Sequence, residues 1–110
     1  MGSLMPSGGG RTFEDFQNQI PKEIQPTFSQ LREFCLSLGG NIVENVRMHR
    51  IVFGKSFDFR WFADLEPTSE GIIVKVQKNR KELPVIFKVK KEQGIEELKN
   101  LIKEAFNSIQ

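Results

Sequence analysis

Cysteine and histidine each occur once in this 110-residue chain, as Cys35 and His49, and tyrosine does not occur at all. A single cysteine excludes an internal disulfide and any multi-cysteine zinc site. It fits the reducing cytoplasm, which is the expected compartment. A single histidine leaves general acid–base chemistry dependent on Ser56 or Asp58 across a hairpin, and a surface or packing role for His49 is the simpler expectation. No apolar run approaches the ~20 residues of a membrane span, so no membrane partner is expected. Residues 1–10 lack the basic start and apolar centre of a signal peptide. They read as a flexible leader to one domain over residues 11–110. Gly8-Gly9-Gly10 has no strand before it and no Lys-Ser/Thr after it at phosphate-loop spacing. With no nucleophilic triad, zinc spacing or nucleotide fingerprint either, neither a cofactor nor a metal is expected, and catalysis is not favoured.

What is present is ordinary for a soluble globular chain: 38% hydrophobic and 27% charged residues. The net charge of +2 conceals a division. Residues 41–91 carry eleven Lys/Arg against six Asp/Glu, and the remainder five against eight. A basic middle flanked by mildly acidic ends permits a polyanionic partner without requiring one.

The densest aromatic stretch, Phe57-Asp58-Phe59-Arg60-Trp61-Phe62-Ala63-Asp64-Leu65, contains three of ten phenylalanines and the only tryptophan. Its alternation predicts a half-buried strand with Phe57, Phe59, Trp61, Ala63 and Leu65 on the core side. Asp58, Arg60, Phe62 and Asp64 then face the other way. Before it, Thr12 and Asp15 have capping-box spacing for a short helix bearing Phe13, Phe16 and Ile20, ended or kinked by Pro21. Pro26 opens a second helix with the stripe Phe28, Leu31, Phe34/Cys35 and Leu38, stopped by Gly39-Gly40. Cys35 lies on that stripe, where a small buried hydrophobe is expected rather than a reactive thiol. A strand from Val43 to Phe53, a turn at Gly54-Lys55-Ser56 and the aromatic strand follow. A turn at Glu66–Gly71, with Gly71 free to take positive φ, leads to a strand over Ile72–Val76. A charged loop over residues 78–82 precedes a strand from Leu83 to Val89, which Pro84 places at a sheet edge or a strand start. From Gly94 to Ser108, Ile95, Leu98, Leu101, Ile102, Ala105 and Phe106 share one helical face. Short turns predict an antiparallel meander. The expected fold is α+β, a two-layer sandwich of three to four strands with the N- and C-terminal helices packed on one face.

Three chemistries compete for the exposed sheet face. Basic groups around an aromatic can hold a single strand of nucleic acid, with phosphates on cations and a base on the ring. Arg60, Phe62, Lys75, Lys88 and Lys90 are the candidates. The same face, through Phe62, Ile73 and Ile86, can serve protein contact or self-association. Asp58, Asp64, Glu66 and Glu70 with Lys75 invite comparison with metal-dependent nucleases. Those need an acidic residue two before the lysine, where this chain has Ile73.

The helix end Leu36-Ser-Leu-Gly39, the strand reaching Phe53, and Phe62-Ala-Asp-Leu-Glu-Pro67 form an ordered series with Gly71-Ile-Ile-Val-Lys-Val76 and Ile95-Glu-Glu-Leu-Lys-Asn-Leu-Ile-Lys-Glu-Ala-Phe106. Over about seventy residues this series resembles a small bacterial and archaeal domain of unknown function. That domain is found at the C-terminus of nuclease-related chains and of chains labelled predicted transport proteins. Its pattern usually has tyrosine where Phe53 and Phe106 stand here. The resemblance implies a helix–meander–helix fold and an accessory place beside nucleic-acid enzymes, and it carries no catalytic residues. The expectation is thus a non-catalytic binding domain, with DNA or RNA ahead of a protein partner or self, and a nuclease-like enzyme behind both.

Overall fold

The computed structural model describes residues 11–56, 60–79, 81–91 and 93–109. Helices α1 (Phe13–Gln17) and α2 (Gln25–Leu36) precede strands β1 (Ile42–Val46), β2 (Ile51–Lys55), β3 (Arg60–Pro67), β4 (Gly71–Val76) and β5 (Val85–Lys90). Helix α3 (Glu96–Ser108) follows them. The strands lie in chain order and every neighbouring pair is antiparallel. The chain is therefore α+β with an open five-stranded antiparallel sheet. Among the described residues no helix is long and apolar enough to cross a membrane.

The helix ends follow their local chemistry. The Thr12 hydroxyl accepts the Asp15 N–H at 3.2 Å and starts α1, satisfying one of the amides a helix start leaves open. Pro26 sits in the first turn of α2, where its missing N–H costs nothing. At the far end of the chain, Lys55 of β2 donates its ammonium to the Ile109 carbonyl at 2.8 Å and lies 4.3 Å from the Phe106 ring centroid. A cation at a helix C-terminus meets both the last unpaired carbonyls and the negative end of the dipole.

The segment from Val43 to Phe53, expected as one strand, is two strands joined at Arg47–Arg50. The Arg47 N–H donates to the Arg50 carbonyl at 2.8 Å and closes the turn. No Gly, Pro, Asn or Asp marks this reversal, because exposed Met48 and His49 occupy it. Three to four expected strands thus become five, and Gly54 and Lys55 belong to β2 rather than to a turn. Residues 57–59, expected to begin the aromatic strand, lie outside the described residues, as do residues 1–10. Gly71 is needed for a different reason from the expected one. Its φ is not positive, but a Cβ there would stand 1.9 Å from the Val89 carbonyl oxygen, so only glycine lets β4 approach β5 so closely.

The decisive irregularity lies in β3. Phe53 pairs with Ala63, but the next residue of β2, Gly54, pairs with Trp61. Phe62 is the extra residue of a β-bulge, and a bulge reverses which face the preceding residues take. Phe62 accordingly joins Ala63 on the face beneath the helices, with 0% exposure, and meets Phe106 of α3 edge-on at 5.4 Å. Trp61, expected in the core, is opposite Gly54 on the other face and half-buried. Arg60 moves the other way and stands opposite Lys55. Beyond the bulge the expected alternation holds: Ala63 and Leu65 join Ile51, Phe53, Val74 and Val76 in one core with Leu31, Cys35, Leu98 and Ile102 of the helices.

This division predicts that Phe62→Ala costs about 3–5 kcal/mol by urea denaturation, the range for a fully buried aromatic. Trp61→Ala should cost less than Phe62→Ala, since Trp61 keeps part of its surface in water and Phe62 keeps none. Equal losses would contradict the bulge.

Candidate functional site

Cross-strand partners share a face, so the register lays out the side of the sheet away from the helices. One row runs Asn45, Val52, Asp64, Lys75, Ile86 across all five strands. Beside it runs Glu66, Ile73, Lys88. Of the residues predicted for a nucleic-acid interface, Lys75, Lys88 and Lys90 stand on this face. Phe62 and Arg60 do not, because the bulge carries Phe62 into the core and sets Arg60 beside Lys55. A stacking role for Phe62 is thereby lost, and with it the contact through Phe62 that self-association would have used. Among the described residues, Trp61 is the aromatic that stands on this face instead. Three successive apolar residues, Trp61-Phe62-Ala63, opposite a strand glycine were the signal that alternation breaks there.

The middle of the face is charge-matched. The Arg50 guanidinium donates to Asp64 Oδ2 and to Glu66 Oε1, each at 3.3 Å, bridging the two carboxylates. Lys75 lies directly opposite Asp64. Glu66 is opposite Ile73, so the acidic group missing two residues before Lys75 is supplied across the strand pair. That juxtaposition was not legible from spacing along one strand. Yet the cation between these carboxylates is Arg50, and among the described residues no group of three or more His, Cys, Asp or Glu is placed to hold a metal. Glu70 is exposed in the β3–β4 turn, and Asp58 lies outside the described residues.

The other singled-out residues find structural places. His49 is exposed in the β1–β2 turn, whereas Ser56 follows the opposite end of β2. Seven residues of extended chain separate them by roughly 20 Å, so they form no acid–base pair. Cys35 is buried in the core, and burial pushes its thiol far above the ordinary range, with Glu44 adding in the same direction. A thiol that resists ionisation is a poor nucleophile. Gln77 donates its amide to the Asn79 and Glu82 carbonyls and is used in holding the β4–β5 loop.

The outer strand differs from the centre. Leu83, Val85 and Ile86 are 89%, 42% and 57% exposed. Lys88 and Lys90 are also exposed and belong to none of the ion pairs among the described residues. At the C-terminal end of β5 a shallow pocket of about 240 Å³ lies between Ile73, Lys88, Lys90 and the Thr68–Gly71 turn.

Asp64 is 7% exposed, and its Oδ1 is buried without a hydrogen-bond partner. Desolvation raises its carboxyl above the ordinary aspartate value, outweighing the attraction of Arg50 and Lys75. The folded state therefore holds this proton more tightly than the unfolded state. Its contribution is greatest below the unfolded value of about 4 and is lost as pH rises through the raised native value. Urea denaturation across this range should find Asp64→Asn gaining stability relative to the parent as pH rises towards neutrality. A relative loss would mean that the Arg50 pairing dominates.

Comparison of the chain with family models, with curated proteins and with solved structures finds no match.

Proposed function

We propose that this chain is a non-catalytic binding domain that contacts a protein through the outer side of its sheet, around Ile86 of β5. In this reading the helices form one layer against one face, as in a two-layer sandwich, and leave the β4–β5 side for a partner. The observation that carries it is the exposure of Val85 and Ile86 in β5, a strand at one end of the sheet order, and of Leu83 just before it. Scattered exposed apolar residues need no explanation, but adjacent ones on a sheet edge mark contact surfaces. The arginine-bridged carboxylates at the centre of the face and the buried thiol offer no group poised for chemistry.

Nucleic acid is the second reading. Lys88 and Lys90 support it, being exposed cations on the same face as Trp61 and Lys75. It is weaker than the residue pattern implied, because the stacking ring at position 62 and the cation at position 60 are elsewhere. An accessory place beside nucleic-acid enzymes, which the family resemblance implies, accommodates either partner.

Photo-crosslinking tests the choice. With p-benzoylphenylalanine in place of Ile86, cells expressing the chain should yield discrete protein adducts. The same group in place of Gln30, exposed on α2, should yield none. Equal labelling from both positions, or none from position 86, would overturn the protein reading. Fluorescence anisotropy with single- and double-stranded DNA and RNA at two salt concentrations tests the second reading. Binding that weakens in Lys75→Ala/Lys88→Ala, with a shallower salt dependence, would transfer the face to nucleic acid.

A further inference from the structure

Resting on that reading, we propose that β5 recognises an extended segment of another protein in which apolar and acidic residues alternate, and that this segment adds to the sheet as a further strand. β5 pairs on one side with β4, and no strand among the described residues pairs with its other side. An outermost strand presents a row of backbone donors and acceptors that an incoming strand can use, which supplies affinity independent of sequence. The C-terminal end of this row is closed, since Gln93 accepts the Lys90 N–H through Oε1 at 2.9 Å. Within Val85–Val89 the outward-facing backbone groups are those of Ile86 and Lys88, which share the side of Lys90.

Side chains decide what can lie there. Natural edges are protected by proline and by lysine. Here Pro84 stands just before the strand and the lysines lie only in its second half, leaving Val85 and Ile86 accessible. An added strand continues the alternation of the sheet. Its residues on the helix side extend the row of Val85, Phe87 and Val89, which calls for apolar groups. On the other side they pass Ile86 and then Lys88 and Lys90, which calls for carboxylates. The pocket between Ile73, Lys88, Lys90 and the Thr68–Gly71 turn has room for one such acidic side chain, its two lysines outnumbering the one carboxylate, Glu70, in its lining.

The same charges disfavour a second copy of this chain as the occupant. Pairing β5 with itself would bring Lys88 and Lys90 of two molecules onto one short ribbon, and like charges across a strand pair are destabilising. An acidic strand converts that repulsion into attraction.

The probe is a fluorescein-labelled peptide of about eight residues, the length of an ordinary strand, alternating valine and glutamate. An otherwise identical valine–lysine peptide is the control. The acidic peptide should bind by anisotropy, more weakly at higher salt, and the control should not. Amide hydrogen exchange at Ile86 and Lys88 should slow by roughly tenfold or more on binding, since those outward-facing amides gain partners while Val85, Phe87 and Val89 already face β4. In Lys88→Glu/Lys90→Glu, whose side chains are exposed and whose folding circular dichroism can confirm, the preference should switch to the lysine peptide. Binding without protection of β5 would overturn strand addition, as would no binding of the acidic peptide. If crosslinking from position 86 persisted in either case, the protein-contact reading would stand while this inference fell. A concentration-dependent doubling of mass with β5 protected would instead name a second copy as the occupant and overturn the acidic partner.

Discussion

The helices rest on a ring that reaches them only because β3 carries one residue more than β2 at that point. Phe62, the extra residue, is fully buried and meets Phe106 edge-on. Burying a phenylalanine is worth about 1.5–3 kcal/mol, and an edge-on pair adds about 0.5–1.5 kcal/mol. The same bulge turns Trp61 outward over Gly54 and sets Arg60 beside Lys55, whose ammonium closes the end of α3. A strand without the bulge would put tryptophan under α3 and phenylalanine among the charges. Packing of the last helix, the composition of the opposite face and the position of Trp61 on it are thus one geometric fact.

That opposite face is not uniformly basic. Its centre is a closed set in which Arg50 holds Asp64 and Glu66 while Lys75 lies across from Asp64. Such partly exposed pairs contribute at most about 1 kcal/mol each, and at Asp64 the loss of hydration outweighs them. Their consequence is for function more than for stability: the cations at the centre already have anionic neighbours. On β5, Lys88 and Lys90 belong to none of the ion pairs among the described residues and lie next to exposed aliphatic groups, which is why the proposed partner is placed there. A phosphate backbone would use the lysines and leave Leu83, Val85 and Ile86 in water, whereas an acidic, apolar strand uses both.

Much of the architecture was legible because it depends on local chemistry. Thr12 caps α1, Pro26 opens α2, the stripe through Phe28, Leu31 and Cys35 is buried, and consecutive strands pair in order. Pro84, which pointed to an edge or a strand start, stands just before β5, the last strand in the sheet order. The turn at Arg47–Arg50 was hidden because none of its residues has a conformational preference that announces a reversal. The bulge was hidden because alternation was read through it, although an unbroken apolar triplet at positions 61–63 cannot alternate. The carboxylate opposite Ile73 was beyond sequence reasoning altogether, since it depends on the register between β3 and β4. The register therefore places Lys75, Lys88 and Lys90 on the face away from the helices, whereas Phe62, the extra residue of the bulge, and Arg60, upstream of it, lie on the other side.

The bulge decides which aromatic ring lies under α3 and which lies on the opposite face, so it is the structural claim on which the account turns. A nuclear Overhauser spectrum of the labelled protein addresses it directly. The account predicts cross-peaks from the Phe62 ring to the Phe106 ring, and none from the Trp61 indole to α3. Cross-peaks from the Trp61 indole to the Ile102 or Ala105 methyl groups, with none from Phe62, would contradict it.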